Sequence, residues 1–506
     1  MMNQDMLIQE MSKSMKVVIL TEGGIAKGAG HITRCTSLYQ AFEEKDISTE
    51  FIVNGDETVA DLLRDKKCKV FNWLKEREEL FGLINDADIV ITDSYLADYG
   101  FYERISEMVS VPVYIDDTMR IDYPEGIVIN GSLGAEDLGY KGKEDVIHLL
   151  GTRYFPLRRE FRNVPEKEIR EGIESVMVTF GGDDMMAMTS KILRLLVENY
   201  PELSKYIVIG KGFTNISKIE RIRDKRTNLI CSPDAEGMKK IMLESDIAIC
   251  GGGQTLYELA RVGTPAIAVA VADNQMNNVI GWRKTGFIEY AGWWEDEGLL
   301  NNITQSLNNL KDAGLRRDKS ETGRKMVDGF GAERISKYLT RKYIEKDLVL
   351  RKADMQDMYT VYELANEPGV RQNSFNEETI ELAGHKKWFT DRVRDEKCLF
   401  LVAEVFGDLI GQIRFDISRG EAVVSISMLS GYRGLGLGRA VMQRALDLFR
   451  LRYPDVQRIK AYIKKGNISS VNYFKGAGYQ FVKKMIINNH DAFEYIYQIN
   501  EELSGV

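Results

Sequence analysis

The chain has 506 residues, 44% apolar and 28% charged, with 68 basic against 76 acidic side chains and a formal net charge of −8. That length and balance point to about three globular domains with ample core, exclude a disordered chain, and lack the basic footprint of a nucleic-acid binder. No run of about 18 uncharged apolar residues occurs, which excludes a membrane-spanning helix.

The first fifteen residues (MMNQDMLIQEMSKSM) lack the apolar stretch of a secretory signal and read as a frayed extension, 1–15. Residues 16–20 (KVVIL) form a strand that runs into a glycine-rich loop, and a helix is expected from about Ile32 to Glu44. STEFIVN, DADIVITDS and VPVYIDD are further strand-like runs, the last two ending in acidic or hydroxyl residues. The rhythm resumes at SVMVTFGG, KYIVIGKG, TNLICSP, SDIAICGGG and TPAIAVAV, with helices at 185–199 and 254–262 opened by glycine-rich turns. Strands alternating with helices predict parallel sheets, and continuous Val/Ile runs predict strands covered on both faces. The expectation is an α/β chain with two Rossmann-like parallel-sheet lobes, 16–160 and 161–345, facing each other across a cleft. Their crossover is expected near Phe155–Pro165. From EKDLVLRKADMQDMY onward the rhythm changes. LFLVAEVFGDLIGQIRF reads as an antiparallel hairpin around Gly407–Asp408, so a third domain with a mixed sheet is expected over 346–506.

Five cysteines, Cys35, Cys68, Cys231, Cys250 and Cys398, are dispersed without a CxxC pair, which points to reduced thiols and a cytoplasmic location. Four histidines, His31, His148, His385 and His490, form no HxxxH pair, so no metal site is expected.

The first glycine-rich loop runs Gly28-Ala29-Gly30-His31-Ile32-Thr33-Arg34 into a helix. Gly28 and Gly30 let backbone approach a ligand, and a helix start offers free N–H groups to a phosphate. The helix dipole disfavours imidazolium there, so His31 is expected as a neutral base that activates water or orients an anion; the alternative is a structural turn with a surface histidine. The second loop, Gly251-Gly252-Gly253-Gln254-Thr255, can cradle a diphosphate, with Glu258 one turn on to accept from ribose hydroxyls. Asn274 and Gln275, at the carboxyl end of a strand, suit sugar hydroxyls or amides; a capping cluster is the alternative. Asp93, Asp116 and Asp117 either assist the chemistry or cap strand ends.

These features resemble the GT-B-fold nucleotide-sugar enzymes. More narrowly, residues 16–340 resemble the UDP-sugar hydrolases of pseudaminic acid synthesis, relatives of the MurG glycosyltransferases. The resemblance rests on GAGHITRC (28–35), DSY (93–95), YIDD (114–117), VIN (128–130), LRREF (157–161), FGGDD (180–184), GGGQTLYEL (251–259), DNQ (273–275) and DGFGAERI (328–335). It implies loss of UDP from UDP-2,4-diacetamido-2,4,6-trideoxy-β-L-altropyranose by water attack at the anomeric carbon, with His31 as base and inversion. The substrate-binding set it implies is Gly28, Gly30, Arg34, Asp93, Tyr95, Asp117, Gly181, Gly182, Gly252, Gln254, Thr255, Glu258, Asn274 and Gln275. Glycosyltransferase relatives use a sugar acceptor instead, and the motifs leave that choice open, as they do a hydrolysing epimerase.

In the last domain, Arg433-Gly434-Leu435-Gly436-Leu437-Gly438 follows an apolar strand and opens an amphipathic helix, a R-x-x-G-x-G arrangement that wraps backbone N–H groups around a pyrophosphate. A second signature follows: the strand VQRIKAYI, then Asn467-Ile468-Ser469-Ser470-Val471-Asn472-Tyr473-Phe474 and Gly478-Tyr479. Residues 347–500 resemble the GNAT N-acetyltransferases on both signatures. The resemblance implies a mixed sheet splayed between two central strands, with acetyl-CoA as co-substrate on Leu429, Arg433–Gly438 (Gly434, Leu435, Gly436 and Leu437 among them) and Asn467. It also implies Tyr473 as the acid that reprotonates the leaving thiolate; a ring packed in the core is the alternative. Glu404, Glu421, His385 and ordered water stand as candidate bases.

The two resemblances together imply a bifunctional enzyme of pseudaminic acid biosynthesis that acetylates N4 of UDP-4-amino-4,6-dideoxy-N-acetyl-β-L-altrosamine and then hydrolyses the product. A legionaminic or bacillosamine-type sugar, or a non-catalytic acyl-CoA-binding module, are the alternatives. No metal, nucleic acid or membrane partner is expected, and oligomeric state is left open.

Overall fold

A computed structural model describes residues 15–24, 30–56, 58–140 and 142–499. Gly28 and nearly all of the expected extension 1–15 therefore lie outside the described residues. The chain divides into two compact units, one running to Leu339 and one from Thr340 onward.

The first unit holds two sheets. One has seven strands in the order β3-β2-β1-β4-β5-β6-β7: β1 (Lys16–Glu22), β2 (Ser48–Asn54), β3 (Cys68–Val70), β4 (Ile89–Asp93), β5 (Val111–Ile115), β6 (Gly126–Asn130) and β7 (Val146–Leu150). The other has six in the order β10-β9-β8-β11-β12-β13: β8 (Ser175–Thr179), β9 (Ser204–Ile209), β10 (Thr227–Cys231), β11 (Ile247–Gly251), β12 (Ala266–Ala270) and β13 (Ile288–Trp293). Every pairing in both is parallel. The Val/Ile runs of β4, β5, β6, β8 and β12 are buried along their whole length, as strands clothed by helices on both faces must be. The expected two parallel-sheet lobes are thus present.

Strand order reverses between β1 and β4 in the first sheet and between β8 and β11 in the second. At such points the crossovers leave to opposite faces and open a crevice beyond the carboxyl ends of the strands. Helix α1 (Gly30–Glu43) follows β1, α2 (Thr255–Val262) follows β11, and α3 (Met276–Thr285) follows β12. Helix α4 (Gly331–Asp347) carries the chain from the first unit into the second.

The second unit is one mixed sheet, β14-β15-β16-β17-β18-β20-β19: β14 (Val349–Lys352), β15 (Cys398–Val405), β16 (Asp408–Ser418), β17 (Glu421–Met428), β18 (Arg458–Lys464), β19 (Gln480–Ile487) and β20 (His490–Gln498). β15 and β16 form the expected antiparallel hairpin, turned by Phe406 and Gly407, both at positive φ (53° and 84°), the backbone that a tight two-residue turn requires. Among the described residues the one parallel pair of this sheet is β17 with β18. It holds only from Glu421–Val423 against Arg458–Lys460, after which the strands part. Helix α5 (Leu437–Arg452) follows β17 and α6 (Ile468–Gly476) follows β18. Among the described residues no helix is long and apolar enough to cross a membrane.

Candidate active sites

In the first unit, helix α1 and the end of β4 meet at the switch point. Nδ1 of His31 lies 2.7 Å from Oδ1 of Asp93. Asp93 is wholly buried and the His31 side chain is 14% exposed. Burial opposes the charge on Asp93, but Arg34 and His31 overcome it and hold the carboxyl well below the usual range. An ionised carboxylate only accepts, so Nδ1 carries the hydrogen of this bond and Nε2 keeps the basic lone pair.

Arg34 is committed to carboxylates. Its Nε donates to Asp93 Oδ2 at 2.6 Å, Nη2 to Asp93 Oδ1 at 2.5 Å, and Nη1 to both oxygens of Asp117 at 2.8 Å. Asp117 also accepts the Tyr95 hydroxyl, and the Tyr95 ring stands edge-on to His31, centroids 4.6 Å apart. Read from sequence as a substrate contact, Arg34 is here the brace of the site. Asp116 faces the other way: Oδ1 accepts the N–H of Asp117 and Thr118 at 2.9 and 3.2 Å, and Oδ2 accepts Tyr140. It is the strand-end cap, whereas Asp93 and Asp117 belong to the histidine.

His31, Arg34, Tyr95 and Asp117 line a cavity of about 740 Å³. Gly30, Gly252, Gln254, Asn274 and Gln275 also line it, whereas Gly181, Gly182, Thr255 and Glu258 do not. Gln254 Nε2 donates to Gly30 O at 3.0 Å, joining the second glycine loop to the start of α1. Gln275, expected to meet the sugar, instead clamps that loop: its Oε1 accepts the N–H of Gly252 and of Val271, each at 3.1 Å. Asn278 holds the other side, Nδ2 to Gly252 O at 2.6 Å. A Cβ on Gly252 would fall 2.3 Å from Val279 Cγ2, so only glycine fits under this clamp. Glu258 is also differently engaged. It pairs with Arg158 at 2.6 Å, a hundred residues away, and is nearly buried. Gly181 and Gly182 sit on the neighbouring loop after β8, where Gly182 O accepts the N–H of Gly212.

Sequence reasoning missed Tyr257, Asn278 and Lys284. Tyr257 stacks on Phe155 with ring centroids 3.5 Å apart, accepts the N–H of Leu133 and donates to Asn278. It thereby fastens the loop after β6 to helices α2 and α3. Lys284 lines the cavity from α3 and supplies a cation there. Tyr257 falls within the quoted GGGQTLYEL stretch, but its partners are remote in sequence; nothing local marks Lys284.

In the second unit, the loop between β17 and α5 has Gly434 and Gly436 at φ of 73° and 87°. Gly438 lies against the Tyr473 ring, and the Tyr473 hydroxyl donates to Gly438 O at 2.8 Å. Burial pushes the Tyr473 phenol up, so it keeps its proton at neutral pH. Leu429 and Leu437 are buried and Leu435 packs on the same core. Arg433 turns away from the loop: Nε donates to Met428 O at 2.8 Å and Nη2 pairs with Glu367. Asn467 caps α6, accepting the N–H of Ser470 at 3.1 Å.

The three side chains expected as bases are otherwise occupied. Glu404 is bound to Arg351. Glu421 pairs with Lys460 at the closed end of the splay. His385 is buried among Tyr362, Trp388 and Phe389.

Residues 356–479 match the family model of the acetyltransferase (GNAT) family. The whole chain is similar to an uncharacterized protein of Methanocaldococcus jannaschii, 22% identical over 96% of this chain and 100% of that one. It is 23% identical to the pseudaminic acid cytidylyltransferase and UDP-2,4-diacetamido-2,4,6-trideoxy-beta-L-altropyranose hydrolase of Helicobacter pylori, over 53% of this chain and 47% of that protein, about half its length. It is 23% identical to the spore coat polysaccharide biosynthesis protein SpsG of Bacillus subtilis, over 65% of this chain and 99% of that one. The chain thus joins an N-terminal part similar to proteins of pseudaminic acid and spore-coat polysaccharide biosynthesis to an acetyltransferase domain of the GNAT family.

Proposed function

We propose that the chain is a cytoplasmic enzyme performing two consecutive steps on one nucleotide sugar. The GNAT domain acetylates N4 of UDP-4-amino-4,6-dideoxy-N-acetyl-β-L-altrosamine, and the first unit, acting as a GT-B-type hydrolase, removes UDP from the resulting UDP-2,4-diacetamido-2,4,6-trideoxy-β-L-altropyranose. The observation that carries the hydrolytic half is the His31–Asp93 pair on a cavity shared with the Gly252–Gln254 loop.

In the hydrolysis, Nε2 of His31 takes a proton from water as its oxygen bonds to the anomeric carbon. The bond from that carbon to the diphosphate oxygen breaks and UDP leaves with the electron pair, giving the inverted sugar. One guanidinium against two carboxylates (Arg34 with Asp93 and Asp117) leaves a net negative charge beside the ring, which stabilises the imidazolium as it forms. The diphosphate rests on backbone N–H groups of Gly253 and Gln254, which lead into α2, with Lys284 as counter-charge. Gly30, Tyr95 and Asn274 face the sugar.

In the acetyl transfer, acetyl-CoA lies in the gap between β17 and β18 with its diphosphate on Gly434–Gly438. The sugar amine attacks the thioester carbonyl, the carbon–sulfur bond breaks, and Tyr473 returns a proton to the thiolate, whose free pKa of about 8.5 makes a nearby donor useful. With Glu404, Glu421 and His385 engaged elsewhere, ordered water relays the proton lost from the amine.

Mass spectrometry of products from the UDP-amino sugar tests the whole reading. With acetyl-CoA the free diacetamido sugar and UDP should accumulate, and without it little UDP should be released. Equal UDP release in both cases would break the two-step order. In ¹⁸O water the label should enter the sugar; label in UDP would mean cleavage on the phosphorus side.

A further inference from the structure

The arginine that opens the R-x-x-G-x-G loop is neutralised. Arg433 pairs with Glu367, a nearly buried carboxylate that also accepts the N–H of Ser430 at 3.3 Å. Gly369 crowds Arg433 as well, since a Cβ there would stand 2.8 Å from Nη1. Charge for a diphosphate must come from elsewhere. Another arginine lies against the loop. A Cβ on Gly436 would stand 3.0 Å from both Cδ and Nη1 of Arg341, so that side chain occupies the space the glycine leaves open. Arg341 belongs to α4, before the segment that matches the GNAT family. Arg341 and Lys342 both pair with Glu345, at 3.1 and 2.9 Å, so these two cations share that carboxylate, whereas Glu367 pairs with Arg433. The carboxyl end of α4 is tied to α5 through Arg444, which donates to Glu345 O at 2.9 Å and to Leu348 O, so Arg341 is held at the start of α5.

We propose that Arg341, from the connecting helix, is a binding residue for the diphosphate of coenzyme A. This rests on the acetyl-CoA reading of the second unit. A guanidinium presents paired N–H donors that match phosphate oxygens, and it stays charged at every accessible pH. Arg433 instead holds the loop to Glu367.

Calorimetric titration of the full-length chain with coenzyme A and with dephospho-coenzyme A tests the assignment. Arg341→Ala should raise Kd about tenfold for both ligands, the size of a lost charge-assisted hydrogen bond. It should also flatten the salt dependence of binding, and Arg341→Lys should recover part of the loss. A KM for acetyl-pantetheine, which carries no diphosphate, should be unchanged. Wild-type Kd in Arg341→Ala overturns the assignment. So does a loss for coenzyme A alone, which would place the contact at the 3′-phosphate, or an equal loss for acetyl-pantetheine, which would make Arg341 structural. Failure of the wild-type chain to bind coenzyme A at all would remove the acetyl-CoA reading itself, a different result from wild-type binding that the variant leaves intact.

Discussion

Asp93 Oδ1 stands 2.7 Å from His31 Nδ1 while the same carboxylate takes two donors from Arg34, so the ring is aimed by a charge that is itself immobilised. Asp93→Asn tests what that charge does. An amide can turn its NH₂ toward Nδ1, which moves the imidazole hydrogen to Nε2 and removes the base. UDP release should fall by about 10²–10⁴-fold, as expected when a general base is lost or held in the wrong tautomer. UDP affinity should stay near wild type, because no nucleotide contact is removed. Nitrogen-15 NMR should show the tautomer change directly. Unchanged turnover in this variant would detach Asp93 from the chemistry.

The clamp on the second glycine loop makes a separate prediction. Gln275 Oε1 satisfies two backbone N–H groups, those of Gly252 and Val271. Gln275→Ala leaves both without an acceptor, at about 1–3 kcal/mol for each buried orphan. A lower Tm and weaker UDP binding should appear together. Gln275→Glu retains the acceptor, so stability should hold, yet it adds a negative charge under the diphosphate and should weaken UDP binding. A variant pair in which stability and binding move in step would contradict this account.

These two cases also mark where the sequence was legible. Strands buried on both faces must be continuous Val/Ile runs, so IVIT, VMVT and AIAVA declared a parallel sheet without further information. Glycine loops between strand and helix are local in the chain; the second landed at a switch point, and the described end of the first, Gly30–His31, opens α1 on the cavity. Side-chain allegiance is not local. Asp93 is 62 residues from His31, and Arg158 is 100 residues from Glu258. Arg34, placed in the substrate-binding set by resemblance, is absorbed by two carboxylates, Asp93 at the end of β4 and Asp117 just beyond β5. Arg433 and Glu367 repeat the lesson in the second unit, where a motif residue is legible by identity and its partner is not. Asn467 differs, since an N-cap is a local contact (Ser470 is three residues on) and was open to sequence reading as such.

Lys45 offers a pH prediction. Burial first, then the nearby charges of Lys337 and Arg162, lower its pKa to about 8, while Glu333 and Glu44 only partly offset them. Its Nζ donates to Ser336 Oγ at 2.5 Å, joining the end of α1 to α4. The unfolded chain binds this proton more tightly than the folded one. The penalty is therefore present below pH 8 and is relieved as pH climbs toward the unfolded value of about 10.4. Relative to Lys45→Met, wild-type stability should rise between about pH 8 and 10. Denaturant midpoints of the pair across that range check it, and a constant difference would mean that Lys45 titrates normally.

Tyr473 joins the glycine loop to the proposed chemistry through its bond to Gly438 O. Burial keeps the phenol protonated, the form an acid needs before the thiolate departs. Tyr473→Phe retains the ring that packs against Gly438 and removes only the hydroxyl, so folding should be nearly unaffected. If the phenol protonates the leaving sulfur, kcat for acetyl transfer should drop by about 10²-fold or more, with little change in KM for acetyl-CoA. The loss should also depend on the thiol expelled. An acetyl donor whose thiol is more acidic needs less help in leaving, so the gap between variant and wild type should narrow with such a donor. A ring present only for packing predicts the opposite pattern, namely an unchanged kcat and no dependence on the leaving thiol.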